Sequence, residues 1–467
     1  MAAVHALSVS IATVSPAAAQ GLPLIRDTEI ENLLKDYSLP IFRAAGLGAQ
    51  NVAMRVIRHE SFNAFVVDGR NVFINTGTLT QAKTPNEVIG VIAHEAGHIM
   101  GGHMAQLRSR IARDATKSLL LTILGIGLMV GGAFAGGDAA REVGSAGGGL
   151  AMGGNDMVIR SMLTERRSQE SAADQAGLRL LEATRQSGRG MQATFERFAE
   201  QEFWMAKDLD PFVRSHPVAA DRLNQLREKV ATSPYADQKD SPELQLRHDM
   251  MRAKLDGHML GMQLVFNRYP ASNTSLPARY ARAIARNCSG SCAQALPEID
   301  ALIRDKPDNP YFWEIKGELL LKAGQFAEAI APLRKAAALL DKLKRANPTV
   351  SLSQTQIMLG RAMVSSNDPR LLDEAIAILT GVLGADKPLW QGEDDDWLGW
   401  WQLAVAYERK GNTAEALLAT ARKLFYSGNA KDIREAQVHA KRAQQIFTRG
   451  SRGWLIAEDI VTYKIPA

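Results

Sequence analysis

The segment His94-Glu95-Ala96-Gly97-His98 constrains this chain more than any other. Residues four apart lie on one face of an α-helix. On a helix both imidazoles can therefore hold one Zn2+ through neutral ring nitrogens, and Glu95 stands where a base for a metal-bound water is needed. The flanking sequence predicts that helix. Thr84 is a suitable N-cap, Pro85 fits the first helical position, and Glu87 completes a capping box ahead of the apolar run Val88, Ile89, Val91 and Ile92. Upstream, residues 25–60 read as a helix, a loop at Gly46 and Gly48, and a strand over Val52–Ile57. Residues 63–76 read as a hairpin turning at Asp68-Gly69-Arg70. The strand around Val72–Thr76 is the candidate sheet edge on which an extended peptide would pair, with an internal place in the sheet equally open to it.

A tetrahedral site needs a further protein ligand. His103 is one residue short of the metzincin spacing. On a continuous helix it would point about 180° from His94, at about 100° per residue. That argues against a ligand unless the helix breaks at Gly101-Gly102, and favours a solvated or outer-sphere role. A second helical, polar stretch runs from Met157 through Gln201 and carries Glu170-Ser171-Ala172-Ala173-Asp174. Its two carboxylates lie four apart on one face, with small residues between them that let two helices approach. Glu170 is the candidate third ligand, the gluzincin arrangement. Asp174 would orient a ligand histidine.

The rest of the chain sets the context. Of 467 residues, 46% are hydrophobic and 22% charged, which excludes a disordered chain. A net charge of +5 gives no reason to expect nucleic acid as a partner. Two cysteines exclude a four-cysteine zinc site; Cys288 and Cys292 read equally as a small disulfide loop or as two thiols. Residues 1–20 lack charge and end near Ala17-Ala18-Ala19, which reads as a signal peptide without a basic start. Residues 118–137 are uncharged and long enough to span a bilayer. They lie between His98 and Glu170, so a single crossing would put the two on opposite sides of a membrane. The glycine-rich run 143–155 is too short to return easily. The insertion 118–155 is therefore expected to cover the site or touch a membrane surface.

Beyond about residue 270 the chain is nearly all helical and repeats. Ala283, Gly290 and Ala295 recur 34 residues later as Gly317, Gly324 and Ala329, the period of a tetratricopeptide unit. Gly360 and Ala375 suggest a third unit. Trp400, Leu403, Ala404, Tyr407, Gly411 and Ala416 suggest a fourth. Such units stack into a superhelix with a concave face. The acidic stretch Trp390–Trp397 reads as a loop between repeats.

His94-Glu95-x-x-His98 with Glu170-x-x-x-Asp174, the Asn63-Ala64-Phe65 and Asn75-Thr76-Gly77 hairpin, and Ser215-His216-Pro217 with Arg222 together resemble the zinc peptidase family of the CAAX prenyl endopeptidases and heat-shock membrane proteases. The resemblance covers roughly residues 50–230. With the export signal and repeats, it extends to periplasmic members acting in outer-membrane protein assembly. It implies one Zn2+ on His94, His98 and Glu170, with Glu95 as catalytic base. His216 is the remaining polar candidate, either stabilising the oxyanion or occupying a zinc position at rest. Arg222 would do electrostatic work or brace the third-ligand helix.

The expected fold is mainly α with a small β-sheet. Residues 1–20 form the signal, 21–255 a gluzincin-type zinc metalloprotease domain, and 256–467 an α-solenoid of tetratricopeptide-like repeats. The expected function is cleavage of unfolded or misassembled envelope proteins in the periplasm. The repeats would contact outer-membrane assembly machinery, and 118–155 a membrane surface. Two other readings stand beside it: a periplasmic chaperone or scaffold with a latent or structural zinc site, and a cytoplasmic protease if residues 1–20 are no signal.

Overall fold

The capping signals around Thr84 are realised in the computed structural model. Thr84 is extended and its hydroxyl accepts from the Glu87 amide, opening a helix over Pro85–Met100. The Glu87 carboxylate reaches back one residue further than a capping box requires, to the Lys83 amide at 3.1 Å. The structure describes residues 23–48, 52–67, 69–106, 109, 156–204, 216, 220–288, 292–387, 389, 396–427 and 430–465. The signal-like residues 1–20, the insertion 118–155, most of the acidic tryptophan stretch and the side chains of both cysteines lie outside that set.

The elements run β1 (Leu24–Ile25), α1 (Thr28–Ala44), β2 (Ala53–Ile57), β3 (Ala64–Val66), β4 (Asn71–Asn75), α2 (Thr76–Gln81) and α3 (Pro85–Met100). The four strands form one sheet in the order β1-β2-β4-β3. The predicted hairpin is present as the antiparallel pair β3–β4, with Phe65 stacked on Phe73 across it. The candidate edge is not. β4 pairs in parallel with β2, from Ala53 opposite Asn71 to Ile57 opposite Asn75, so it is internal, and Thr76 already belongs to α2. Burial explains the placement: Val72, Phe73 and Ile74 are all buried, as an internal strand demands. The edges are β1 and β3.

The helical stretch expected over 157–201 consists of two helices, α4 (Asp156–Ala183) and α5 (Arg189–Trp204). Arg185 takes a left-handed conformation after α4. The Ser187 hydroxyl then accepts from the Arg189 amide at the start of α5. Next come α6 (Ala220–Thr232) and α7 (Pro242–Met259), the latter capped by Ser241 with Pro242 in its first turn. α7 runs unbroken through residue 255. Leu34, Ile41, Phe62, Ile74, Ile92, Phe198, Leu226 and Met251 share one core, which fixes α3 between the sheet and the later helices.

α8 (Met262–Arg268) leads into the helical hairpins α9 (Leu276–Cys288), α10 (Cys292–Asp305), α11 (Pro310–Lys322), α12 (Phe326–Ala346) and α13 (Ser353–Ser365). The 34-residue signal has a packing cause: a Cβ on Gly317 would lie 2.4 Å from the Leu333 side chain. The chain forms two compact units, Leu22–Ser366 and Asn367–Ala467. The second contains α14 (Leu372–Leu383), α15 (Trp397–Arg409), α16 (Thr413–Ser427), α17 (Ala430–Ile446) and α18 (Arg452–Val461). Its Trp400 is buried with Arg422 over the ring, and the Arg422 guanidinium donates to the carbonyls of Ala385 and Lys387. Among the described residues no helix is long and apolar enough to cross a membrane.

Candidate metal centre

Two helices meet here because small residues line their contact. A Cβ on Gly97 of α3 would lie 2.6 Å from the Ala173 carbonyl oxygen of α4, and one on Gly177 would press on Ala93 at 3.2 Å. That approach brings His94 and His98 to Glu170. His94 Nε2 is 3.1 Å from His98 Nε2 and 3.4 Å from Glu170 Oε2, and His98 Nε2 is 3.4 Å from Glu170 Oε1. His216 closes the group. Its Nδ1 lies 3.2 Å from His94 Nε2 and 3.0 Å from Glu170 Oε2.

These four side chains form a group that could hold a metal ion. The donor set fits zinc. Bonds of about 2.0–2.1 Å in a tetrahedron set ligand atoms about 3.3 Å apart; the five contacts just given run from 3.0 to 3.4 Å, and all four ligand atoms lie within 4.8 Å of one another. Ring nitrogens that turn their lone pairs on one another repel unless a cation lies between them. The electrostatics favour one. Burial alone would depress the His94 pKa, but the accepting carboxylates of Asp174 and Glu170 override it and carry it to about 10. Glu170, which burial alone would raise, is held well below the ordinary carboxylate range, chiefly by His216.

The supports around the group are charged. Asp174, four residues after Glu170, brings Oδ1 to 3.0 Å from His94 Nδ1. Arg222 of α6 grips Asp174 through Nε at 2.7 Å and Nη2 at 2.9 Å, and its Nη2 also reaches Glu170 Oε2 at 3.2 Å. Arg222 is thereby paired with both carboxylates of α4. Glu95 is 1% exposed, its Oε1 has no hydrogen-bond partner among the described residues, and His216 Nε2 stands 3.5 Å away. Burial lifts the Glu95 pKa to about 7, the range a base at neutral pH requires.

His103 is where sequence reasoning stops short. α3 ends at Met100, and Gly102 takes φ +60°, so the continuous-helix projection fails. The chain turns back and His103 Nδ1 comes within 2.9 Å of His98 Nδ1. Burial, then the neighbouring His98, lowers the His103 pKa to about 4. The signal for this turn was the Gly101-Gly102 pair itself.

Fold and site define a metallopeptidase-type domain joined to helical repeats. The family model for Peptidase family M48 matches residues 25–230, and that for the Tetratricopeptide repeat matches 279–348. Residues 25–230 therefore match a peptidase family M48 domain, and residues 279–348 a tetratricopeptide-repeat region. It is 23% identical over 418 residues to the beta-barrel assembly-enhancing protease of Escherichia coli K12, covering 87% of this chain and 77% of that one. A Vibrio cholerae protein that carries this name provisionally is 24% identical over 305 residues, 64% of this chain and 60% of its own length. The metalloprotease LoiP of Escherichia coli K12 is 26% identical over 186 residues, 40% of this chain and 65% of that one.

Proposed function

We propose that this chain is a zinc endopeptidase of the bacterial envelope that removes unfolded or misassembled outer-membrane proteins. The observation that carries the reading is the buried group His94, His98, Glu170 and His216, with the Glu95 carboxylate beside it. His94, His98 and Glu170 would hold the zinc, with Asp174 and Arg222 fixing their orientation. Zinc, when bound, acidifies water and polarises a carbonyl. Glu95 takes the proton of the attacking water and hands it to the leaving amine nitrogen. An extended substrate would pair along β3, the edge strand next to α3. The names of the relatives support a role in β-barrel assembly. The signal-like residues 1–20 support a periplasmic location, the repeat region supports docking on assembly machinery, and the apolar insertion 118–155 supports contact with a membrane surface.

The fourth donor favours a refinement. A catalytic zinc keeps one position open, whereas a site closed by four protein ligands is structural in type. His216 would fill that position, so the resting enzyme would be held shut and would open when His216 withdraws. The same observation favours the second reading, a chaperone or scaffold with a latent zinc.

The deciding experiment compares residues 21–467, wild type and Glu95→Gln, at equal zinc content on an unfolded protein. The expected result is cleavage by the wild type and a loss of about 10²–10⁴-fold in the variant. His216→Ala should cleave faster than the wild type. Zinc-loaded wild type and His216→Ala that are both inert would establish the scaffold reading instead.

A further inference from the structure

His103 is the buried polar side chain at this centre that the peptidase reading leaves without a task. His98 faces the four-residue group through Nε2, 3.1 Å from His94 Nε2 and 3.4 Å from Glu170 Oε1. A neutral imidazole has one N–H and one lone pair. With the Nε2 lone pair turned to the group, the His98 proton sits on Nδ1. Its partner there is His103 Nδ1, at 2.9 Å. His98 therefore donates, and His103 accepts as a neutral ring.

The backbone is shaped for this contact. The positive φ at Gly102 turns the chain back after α3. A Cβ on Gly101 would lie 2.3 Å from His103 Nε2, so the ring occupies the space that any other residue at 101 would fill. The two ligand histidines are thus held by unlike acceptors. His94 has the Asp174 carboxylate at 3.0 Å, itself gripped by Arg222. His98 has an uncharged imidazole.

We propose that His103 is a positioning residue that fixes His98 in its metal-binding tautomer and thereby sets how tightly the centre keeps its ion. This rests on reading the group as a zinc site. The test is competition for zinc between a chromophoric chelator and the full-length protein, wild type against His103→Leu and His103→Asn. Leucine fills the space without accepting a hydrogen bond. Asparagine places its amide oxygen where Nδ1 stood. The expected result is zinc bound about 10–100-fold more weakly in the leucine variant, largely restored by asparagine, with the visible spectrum of the cobalt-loaded protein following the same order. Should His103→Leu not fold, Gly101→Ala, which displaces the ring and removes no hydrogen-bonding group, must weaken zinc in the same direction. A folded leucine variant that holds zinc like the wild type, or asparagine no better than leucine, would overturn the proposal. A wild type that takes up no zinc at all would instead overturn the peptidase reading beneath it.

Discussion

Two buried groups of ionisable side chains lie in the unit Leu22–Ser366, and they differ in where their positive charge comes from. At the candidate metal centre, the nitrogens of three imidazoles and Glu170 converge, and Arg222 only reaches Glu170 from the Asp174 side, at 3.2 Å. In the second group the chain supplies its own cation. Lys254 of α7 is 1% exposed, and its Nζ lies 2.7 Å from Asp27, 3.3 Å from Glu29 and 3.6 Å from Glu314. Tyr280 donates to Glu29 at 3.1 Å, and Thr355 donates to Glu314. Asp27 and Glu29 begin α1, Tyr280 is on α9, Glu314 on α11 and Thr355 on α13. The second group therefore ties the start of the peptidase domain to the first repeats. A cation built into the chain makes a fastening. A cation that has to be recruited leaves a site whose occupancy can change.

The largest expected effect comes from deleting the built-in cation. Lys254→Met strands the buried carboxylates Glu29 and Glu314 together with the half-buried Asp27 and should cost about 3–5 kcal/mol, read from the urea midpoint of the full chain, while zinc affinity stays unchanged. A loss below about 1 kcal/mol would mean that water relieves the group, and the contrast would fail. Removing the recruited cation should do less. At free zinc near 100 times its dissociation constant, chelation should cost about 2.7 kcal/mol, and the cost should be the same in wild type and in Lys254→Met. Unequal costs would show that the two groups communicate.

The smallest effect is that of a single pH unit on the fastening. Burial raises the Glu314 pKa to about 7, from an ordinary value near 4.5. A carboxyl with a raised folded-state pKa favours folding while protonated. Its contribution is complete below about pH 4.5 and is lost as pH rises through about 7. The expected slope is at most about 1.4 kcal/mol per pH unit in that window. It is measured as the stability difference between wild type and Glu314→Gln, and a flat difference would refute it.

Much of the catalytic half was legible because its signals are local. The Thr84 cap, the i,i+4 pairs His94/His98 and Glu170/Asp174, and the small residues that let α3 meet α4 each depend on spacing alone. What sequence reasoning missed or left open depends on distant or rare geometry. The internal position of β4 follows from a parallel pairing with β2, which a hairpin motif does not encode. The return of His103 needs a left-handed glycine after a helix end, and projection along an ideal helix cannot supply that. The break between α4 and α5 turns on the left-handed Arg185 and the Ser187 cap, inside a stretch of ordinary helical composition. The Lys254 group joins residues as far apart as Glu29 and Tyr280, 251 positions along the chain, and no periodicity reports a pairing at that range.

α7 also limits how such a protein can be recombined. It contributes His248, which bonds Tyr37 of α1 at 3.0 Å and the Ala82 carbonyl after α2 at 3.0 Å, and two turns later it contributes Lys254 to the repeats. A cut at residue 255 would leave the lysine with Asp27 and Glu29 and carry Glu314 away without its counter-ion. The peptidase and its first repeats therefore do not behave as interchangeable cassettes. A repeat array transplanted onto another peptidase would arrive with a buried glutamate to neutralise, and would need a host whose last helix brings the matching cation.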